Sequence, residues 1–498
     1  MTPAAAESKE RAVHVIGAAG TEGSAVIDYL LRRGGSTITA HDLGAGPAEF
    51  AEAFRRTHQW LSPEEREAAL ARLMDAPVTT CYRDQYLKGI DRANLIVVPQ
   101  SWFRHPENEP LKALKAAGVP FTSMTRLFFD TAPCPIIGVT GTNGKFTVAT
   151  LIYQMLREAG RAAFFSGNDR THVPMLYYLD QITPEATLVL EISNRQLVDL
   201  ERSPHIGVVT NVAPHHLDDH GSMDAYARVK ADLIRFQGAE DHAVLNRDNP
   251  YTLAMGGETK GRVAWFSAED AVERGAYAAG GALWLTGDGE GAATRIMDAD
   301  ELRLPGRPMV ENALAASAAA GIAGVPAGAM GAVLRRFHGL PYRFRRLGRY
   351  ADVDFYEDSL GTNPTAAAAA IASMATPFFL IAGGLRRGAR PEDFAPMVQA
   401  LAASDRCRAS MLIGAAAPVL AEAIGAMAPA GRPDVVMAGT LEGAMAEISR
   451  RARPGDAVLL SPGCESFDQF ADYRQRGDRF AALAEEFAAA GAKYPAIE

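Results

Sequence analysis

Residues 138–145 read GVTGTNGK and connect an apolar run at 135–137 to a helical pattern at 148–159. A strand, a glycine-rich turn and the start of a helix are typical of a phosphate-binding loop, because the glycines let backbone N–H groups converge on an anion. Lys145 adds a positive charge to this turn. Such a loop usually has Ser or Thr directly after the lysine, where the hydroxyl reaches magnesium, but here Phe146 occupies that place and Thr147 follows it. We therefore predict an ATP-binding α/β domain with an unusual residue at the magnesium position.

The composition of the chain indicates a soluble protein of several domains. Its 498 residues suggest roughly three domains, and 48% hydrophobic with 22% charged residues is ordinary for a globular protein. The net charge is −9 and no basic run occurs, which argues against nucleic acid as the main partner. The four cysteines are scattered and read as reduced thiols, and no apolar stretch is long enough to span a membrane. We expect a cytoplasmic protein that binds neither nucleic acid nor a membrane.

The first predicted domain covers residues 1–133 and begins with a strand–turn–helix–strand unit. A short apolar strand at 13–16 leads into a glycine-rich turn at 17–23, and a second strand at 37–40 is followed by Asp42. An acidic residue after the second strand is a feature of nucleotide-binding Rossmann-like units. The glycine spacing departs from GxGxxG, so a purely structural turn remains an alternative.

The second and third predicted domains cover residues 134–338 and 339–498. In the second, an apolar strand at 187–190 is followed by Glu191. Another apolar strand at 206–210 is followed by Asn211 and, a few residues later, by His216. Because ligands bind at the carboxyl ends of parallel strands, we expect these side chains beside the phosphate-binding loop. In the third, apolar strands at 378–382 and 457–460 and helices at 365–374 and 478–490 predict another doubly wound sheet. The predicted fold class is α/β with three domains: a Rossmann-like N-terminal domain, a central ATPase-type parallel sheet and a Rossmann-like C-terminal domain.

Several polar residues in these domains have both a chemical and a structural interpretation. Glu191 and His216 can together hold a divalent cation between ATP and a second substrate, although each can equally be a satisfied polar residue. Arg343 can stabilise a transferring phosphoryl group, or lie on the surface. Lys230, on a predicted helix, reads from composition alone as a solvated lysine.

The order of motifs along nearly the whole chain resembles the Mur ligases, the ATP-dependent amide ligases that build the stem peptide of peptidoglycan. The matching stretches are residues 138–145, 191–193, 211–220, 246–248, 304–306, 341–343, 358–363 and 460–470. The last of these, LSPGCESFDQF, together with Arg476-Gly477-Asp478, is most similar to the glutamate-adding members.

This resemblance implies a substrate and a reaction for each domain. The first domain would bind the UDP part of a UDP-linked sugar–amino acid, the central domain ATP, and the third domain glutamate. ATP would phosphorylate the alanyl carboxylate to an acyl phosphate, which the glutamate amine would attack to give the amide, ADP and phosphate. Domain closure would bring Arg343 and Asp358 onto the nucleotide. The resemblance also implies a monomer.

The same resemblance implies a set of site residues. The implied catalytic residues are Lys145, His216, Lys230 and Arg343. The implied ATP ligands are Gly141, Thr142, Asn143, Gly144, Lys145, Thr147, Asn246, Arg343 and Asp358. The implied substrate ligands are Thr21, Asp42, Asn168, Ser193, Thr362, Arg387, Ser466 and Tyr473. Two magnesium ions would be held by Glu191, His216, Thr147 and a carbamylated Lys230.

Several positions depart from the family pattern. Phe146 replaces the magnesium-binding hydroxyl, Leu360 and Arg387 each stand where lysine is usual, and Pro99-Gln100-Ser101 replaces a Ser-Pro-Gly turn expected at the UDP diphosphate. These departures keep two other hypotheses open. The chain can be a diverged member that joins an amino acid to a different carboxylate, or a non-catalytic nucleotide-binding protein.

Overall fold

The computed structural model describes residues 11–167, 173–177, 179–213, 221–287, 293–427 and 432–489. These residues form three sheets, each rich in parallel strands and flanked by helices. The predicted α/β fold class is confirmed by this arrangement. By spatial clustering the chain divides into two compact units, which are described separately. The first unit contains the first two sheets and the second unit contains the third.

The first sheet contains five parallel strands in the order β3-β2-β1-β4-β5. The strands are β1 (Arg11–Ile16), β2 (Ser36–His41), β3 (Val78–Cys81), β4 (Leu95–Val97) and β5 (Phe121–Thr122). The helices are α1 (Thr21–Arg33), α2 (Pro47–Thr57), α3 (Pro63–Met74), α4 (Glu109–Ala116) and α5 (Met124–Thr131). The turn between β1 and α1 is tight, since a Cβ at Gly23 would lie 2.4 Å from the Gly17 carbonyl oxygen. This close approach explains the glycines of residues 17–23.

The second sheet has nine strands in the order β14-β13-β12-β11-β10-β9-β6-β8-β7. Its strands are β6 (Ile136–Thr140), β7 (Ala163–Ser166), β8 (Thr187–Glu191), β9 (Ile206–Val209), β10 (His242–Asn246), β11 (Arg262–Ser267), β12 (Gly275–Ala279), β13 (Ala282–Thr286) and β14 (Thr294–Asp298). Its helices are α6 (Lys145–Glu158), α7 (Asn194–Leu197), α8 (Met223–Arg235) and α9 (Pro250–Met255), and α10 (Arg307–Ile322) and α11 (Ala327–Arg336) follow in the chain. Strand β6 is parallel to β8 on one side and to β9 on the other, so the chain reverses its direction of winding at β6. Ligands of open α/β sheets bind at such a reversal.

The third sheet has six strands in the order β15-β16-β20-β17-β18-β19, of which β15 is antiparallel to β16. The strands are β15 (Arg345–Tyr350), β16 (Val353–Glu357), β17 (Phe378–Gly383), β18 (Cys407–Ile413), β19 (Asp434–Gly439) and β20 (Ala457–Leu460). The helices are α12 (Pro364–Ala372), α13 (Ala395–Ala402), α14 (Ala417–Gly425), α15 (Leu441–Arg451) and α16 (Tyr473–Ala489). The central strands β17 and β20 are buried along their whole length.

The start of the closing helix α16 differs from the sequence-based prediction. We predicted that it begins at Asp478, but it begins at Tyr473. Asp472 explains the difference, because its carboxylate accepts the backbone N–H of Gln475 at 2.9 Å, which is an N-cap interaction. Within the described residues, no helix combines the length and the apolar character needed to cross a membrane.

Candidate functional site

The glycine-rich loop connects the buried strand β6 to helix α6 and depends on two close contacts. Gly141 has φ +148°, and a Cβ placed there would lie 1.9 Å from Thr210 Oγ1. Gly144 has φ +80°, and a Cβ there would lie 2.2 Å from Asn312 Oδ1 on α10. Neither position can accept a side chain without displacing a neighbour, so the loop requires glycine at both.

Residues at the end of β9 hold the loop in place. Thr210 Oγ1 donates to the carbonyl oxygen of Asn143 at 2.6 Å. The N–H of Asn143 donates to Asn211 Oδ1 at 3.0 Å, and the N–H of Thr142 donates to the Asn211 carbonyl oxygen at 2.8 Å. Two backbone N–H groups of the loop therefore already donate hydrogen bonds to Asn211. By helix geometry the first-turn N–H groups of α6 point out of its N-terminus, which leaves that turn as the place for an anion.

Lys145 is the first residue of α6, and its side chain folds back over the loop. Its Nζ donates to the carbonyl oxygen of Thr142 at 3.1 Å. The ammonium group thus lies beside the loop backbone, at the helix end where phosphate oxygens would gather. Thr147 lies in the same helical turn.

Lys230 lies on α8 and is buried against the loop, with 1% of its surface exposed. Its Nζ donates to the carbonyl oxygen of Gly141 at 2.7 Å and lies 4.6 Å from the centre of the Tyr226 ring. Burial lowers the pKa of Lys230 well below its usual range, and the nearby charge of Lys145 lowers it further. This placement excludes the solvated lysine that composition alone suggested. A buried amine with a lowered pKa is a reactive group.

Glu191 ends β8 and is largely buried. It pairs with Val139 of the neighbouring strand β6, two residues before Gly141. Its carboxylate is therefore at the same edge as the loop, as the strand pattern predicted. Next to it, Ser193 caps α7, since its hydroxyl accepts the N–H of Gln196. His216 and Asn168, two other residues of the implied site, lie outside the described residues.

Asn246, an implied ATP ligand, is buried at the end of β10, where its side-chain amide binds protein. Nδ2 donates to the Thr210 carbonyl oxygen at 3.1 Å, and Oδ1 accepts the N–H of Asp248 at 2.9 Å. In the structure Asn246 supports Thr210, which in turn holds the loop. A contact between Asn246 and ATP stays a prediction.

Thr21 and Asp42, the implied substrate ligands of the first sheet, both stabilise the turn between β1 and α1. Asp42 accepts the N–H of Ala19 at 3.1 Å and of Gly44 at 3.0 Å. Thr21 donates from Oγ1 to the Thr57 carbonyl oxygen at 3.0 Å. Thr21 also lines a cavity of about 350 Å³ next to this turn.

In the second unit, the implied glutamate ligands gather around the loop after β20. Leu385 and Glu465 form an antiparallel bridge, which brings Arg387 and Ser466 to neighbouring chain segments. The N–H of Gly463 donates to the Gly361 carbonyl oxygen at 2.9 Å, which brings the residue after Gly361 to the same loop. Three implied glutamate ligands lie on these segments: Thr362, Arg387 and Ser466. The fourth, Tyr473, begins α16, where its carbonyl oxygen accepts the Ser359 hydroxyl at 2.7 Å. Ser466 is buried, whereas Arg387 is exposed.

Arg476 holds these segments together, a role that the sequence analysis did not identify. It is 1% exposed, and its guanidinium donates to the Ser359 hydroxyl at 3.0 Å and to the carbonyl oxygens of Ser359, Cys464 and Glu465. Burial lowers the pKa of Arg476 to about 10, so it stays protonated at neutral pH. In the sequence, Arg476-Gly477-Asp478 is recognisable as a motif, but its residues do not indicate which carbonyl groups Arg476 binds.

Asp358, an implied ATP ligand, is a buried carboxylate at the end of β16. It accepts the Ser461 hydroxyl at 2.7 Å and the N–H of Phe344 at 3.1 Å. Burial raises the pKa of Asp358 from its usual 3.8 to about 7, against the opposing effect of these hydrogen bonds and of Arg343. A carboxylate kept in such a place costs stability, which is a mark of functional residues.

We predict that Asp358→Asn stabilises the protein above neutral pH. Since the folded-state pKa is above the unfolded one, the folded state binds more protons between pH 3.8 and about 7, and stability falls as pH rises through that window. Asparagine cannot ionise, and the Ser461 hydroxyl can rotate so that its oxygen accepts a hydrogen bond from the asparagine side-chain NH₂ group. Thermal unfolding should show a higher Tm for the variant at pH 8 and a smaller difference at pH 5. The matched control is Asp405→Asn, at an exposed position of the same unit; an equal gain there would contradict the prediction.

Family models match most of the central and C-terminal parts of the chain. The model of the Mur ligase middle domain matches residues 139–320, and that of the Mur ligase glutamate ligase domain matches residues 342–464.

Relatives and solved structures extend this similarity to nearly the whole chain. A UDP-N-acetylmuramoylalanine–D-glutamate ligase of Symbiobacterium thermophilum is 36% identical over 470 residues, covering 94% of this chain and 96% of the relative. The enzyme of the same name from Pelotomaculum thermopropionicum is 34% identical with the same coverage. The crystal structure of UDP-N-acetylmuramate–alanine ligase from Thermotoga maritima matches with a TM-score of 0.53 at 15% identity, covering 95% of this chain and 99% of that one. A pseudomurein peptide ligase of Methanothermus fervidus matches with a TM-score of 0.52 at 16% identity, covering 96% and 99%. The two structures share the fold with this chain.

Proposed function

This chain belongs to the Mur ligase family, and we propose that it is the ATP-dependent ligase that adds glutamate to UDP-N-acetylmuramoyl-L-alanine in peptidoglycan synthesis. The proposal rests on the name and coverage of its relatives, which are 36% and 34% identical over 94% of the chain. The observation in the structure that best supports it is the position of Lys230, whose Nζ is 2.7 Å from the glycine-rich loop. A buried amine with a lowered pKa is available for chemistry next to the place where the phosphates would bind.

The central domain supplies the phosphoryl-transfer site of the proposed reaction. The first turn of α6 and Lys145 would bind the phosphates of ATP, because both present positive charge at the end of β6. The substrate carboxylate attacks the terminal phosphorus, so that ADP leaves and an acyl phosphate forms. The glutamate amine then attacks the acyl carbon, and phosphate leaves as the amide forms. Lys145 stabilises the negative charge that develops on the transferred group.

Magnesium would be held at the loop edge by Glu191, with Thr147 and His216 as further ligands. The donor chemistry fits, since magnesium in nucleotide sites is bound by one or two carboxylates together with phosphate oxygens. When bound, the cation neutralises charge on the phosphates. Lys230 fits a carbamylated role, because a lowered pKa favours the neutral amine that combines with carbon dioxide. A carbamate would turn this amine into a carboxylate-like ligand.

The third domain would bind the incoming glutamate around the loop after β20. Arg387 is suited to one carboxylate because a guanidinium binds it in a bidentate manner. Buried Ser466 and its neighbours Thr362 and Tyr473 supply hydroxyl groups. Arg476 would position this loop without touching the substrate.

Phosphate release from ATP and magnesium tests the proposal directly. UDP-N-acetylmuramoyl-L-alanine is supplied throughout, and D-glutamate, L-glutamate or another amino acid is added in turn. We expect release that requires the UDP-linked substrate and one glutamate enantiomer. Release that requires glutamate but a different carboxylate would favour a diverged member of the family. ATP binding without release under any condition would favour a non-catalytic protein.

We predict that Phe146→Ser has an activity equal to or higher than that of the wild type. Phe146 packs edge-to-face on Phe165, with ring centres 5.4 Å apart, so its side chain fills space beside β7. Serine restores a hydroxyl at the position where a phosphate-binding loop uses it for magnesium. The control is Phe146→Ala, which loses the same packing without gaining the hydroxyl. The magnesium concentration for half-maximal activity should be lower for serine than for alanine, and equal values would contradict the prediction.

A further inference from the structure

The cavity of about 350 Å³ beside the first turn of α1 has an unusual charge for a site that takes a nucleotide. Its walls come from the turn before α1, the segment after β4, the end of β7 and α7. Among the described residues of its lining, Glu22 is the only one that carries a charge. No lysine or arginine in that described lining is available to pair with a phosphate.

Glu22 lies in the first turn of α1, where the helix is most attractive to an anion. Its carboxylate accepts the backbone N–H of Gln100 at 2.8 Å. Both the positive end of the helix and this backbone donor are what an anion-binding site provides. The chain's own carboxylate therefore lies at the start of α1 and uses a backbone donor that an anionic part of a ligand could otherwise use.

Gln100 connects this carboxylate to the edge of the central sheet. Its side-chain Oε1 accepts the hydroxyl of Ser193 at 2.9 Å, and Ser193 follows Glu191 by two residues. Glu22 thus keeps Gln100 in the conformation that bridges the two sheets of the first unit. If Glu22 moved aside, the Gln100 N–H would lose its acceptor, and the Gln100 side chain would be less firmly held against Ser193.

Ionising Glu22 costs free energy, because the protein packed around this half-buried carboxylate replaces part of its water. Burial raises the pKa of Glu22 to about 7, although the Gln100 N–H opposes the rise. An incoming phosphate would raise the cost of the charged form further, since like charges repel strongly at low dielectric.

We propose that Glu22 is a specificity-determining residue of this cavity, whose carboxylate binds the Gln100 N–H beside the start of α1 and weakens the binding of a diphosphate-linked substrate. The inference rests on the proposed function in one respect, namely that the UDP part of the substrate enters this cavity. It goes beyond that function by assigning to Glu22 the choice between a diphosphate and a less charged group.

Glu22→Gln tests the proposal, because glutamine keeps an oxygen acceptor for the Gln100 N–H and removes only the charge. The matched control is Glu64→Gln, which removes the same charge from the first turn of α3 at an exposed position in the same domain. Calorimetry measures the Kd of UDP for each protein at pH 8. Phosphate release measures KM and kcat for UDP-N-acetylmuramoyl-L-alanine, and thermal unfolding shows that each variant is folded.

We expect Glu22→Gln to lower both the Kd of UDP and the KM about tenfold or more, with kcat unchanged, while Glu64→Gln has no effect. UDP that binds the variant but not the wild type would also support the proposal. A Kd that stays the same or rises in folded Glu22→Gln, or UDP that binds neither protein, would overturn it. Failure of the proposed function is a separate result: no protein would then release phosphate with the UDP-linked substrate, whatever the Kd values show.

Discussion

Replacing Lys145 with alanine is expected to abolish ATP turnover while leaving the protein folded. Lys145 begins α6, and its half-buried side chain donates from Nζ to the carbonyl oxygen of Thr142 in the loop. Alanine is a strong helix former at this position, so we expect the variant to fold. The variant loses electrostatic stabilisation of the transition state, in which negative charge develops on the transferred phosphoryl group. Removing one such electrostatic contact lowers kcat by about a hundredfold to a thousandfold in other enzymes, and a full charge at the loop should give at least the upper value.

Phosphate release with ATP, the UDP-linked substrate and glutamate measures this effect. Lys260→Ala is the control, because Lys260 is an exposed lysine of the same unit, between α9 and β11. The control should keep wild-type turnover, and both variants should unfold at the wild-type temperature. If folded Lys145→Ala kept full turnover, residues 138–145 would not be the phosphate-binding loop.

The first two sheets could be predicted from the sequence because each one begins with an apolar run followed by a glycine-rich turn. The run at 135–137 and the turn after it placed β6 and α6, and the apolar strands at 187–190 and 206–210 were found within one residue. Parallel strands in the core are apolar on both faces, so they stand out without any periodicity. The position of Glu191 at the loop edge followed from the same rule, since parallel strands end at one side.

Contacts between distant residues could not be predicted in this way. Thr210 and Asn312 shape the loop through side chains that come from a different strand and from α10. Asn246 reads as a ligand from its motif, but its amide is directed at backbone groups. Arg476 belongs to a family motif in the sequence, but the Ser359 and Cys464 groups that it binds come from other parts of the chain. In each case the determining partner is far away in the chain, and only the folded backbone brings it near.

The role of the Glu22 charge could not be predicted from the sequence either. In the sequence it is one acidic residue in a glycine turn, and acidic residues in the first turn of a helix are common because they suit the helix dipole. Only the cavity and the Gln100 contact distinguish it from Glu64, which lies in the first turn of α3 but is exposed. Glu22 and the departure at residues 99–101 therefore belong to one site, because the Glu22 carboxylate binds the Gln100 N–H.

Gly141→Ala is expected to be the most damaging single change in the loop, removing activity and destabilising the central sheet. The backbone at Gly141 has φ +148°, which L residues rarely adopt, and the added Cβ would lie 1.9 Å from Thr210 Oγ1. Relief requires movement of Thr210, whose hydroxyl holds Asn143 and whose carbonyl oxygen binds Asn246. The Gly141 carbonyl oxygen also accepts a hydrogen bond from Lys230 Nζ. A single methyl group thus disturbs the loop, its support and the buried lysine together.

Gly160→Ala separates backbone strain from the clash, because Gly160 follows the other end of α6 with φ +73° and open space around its Cβ. Strain alone should cost about 1–2 kcal/mol and leave ATP turnover intact. Thermal unfolding and phosphate release measured on both variants decide between the two effects. If Gly141→Ala lost no more stability than Gly160→Ala and kept its activity, the close approach of Thr210 would not constrain the loop. If Gly141→Ala lost turnover but unfolded like Gly160→Ala, the damage would lie in the placement of Lys230 and the loop rather than in the sheet.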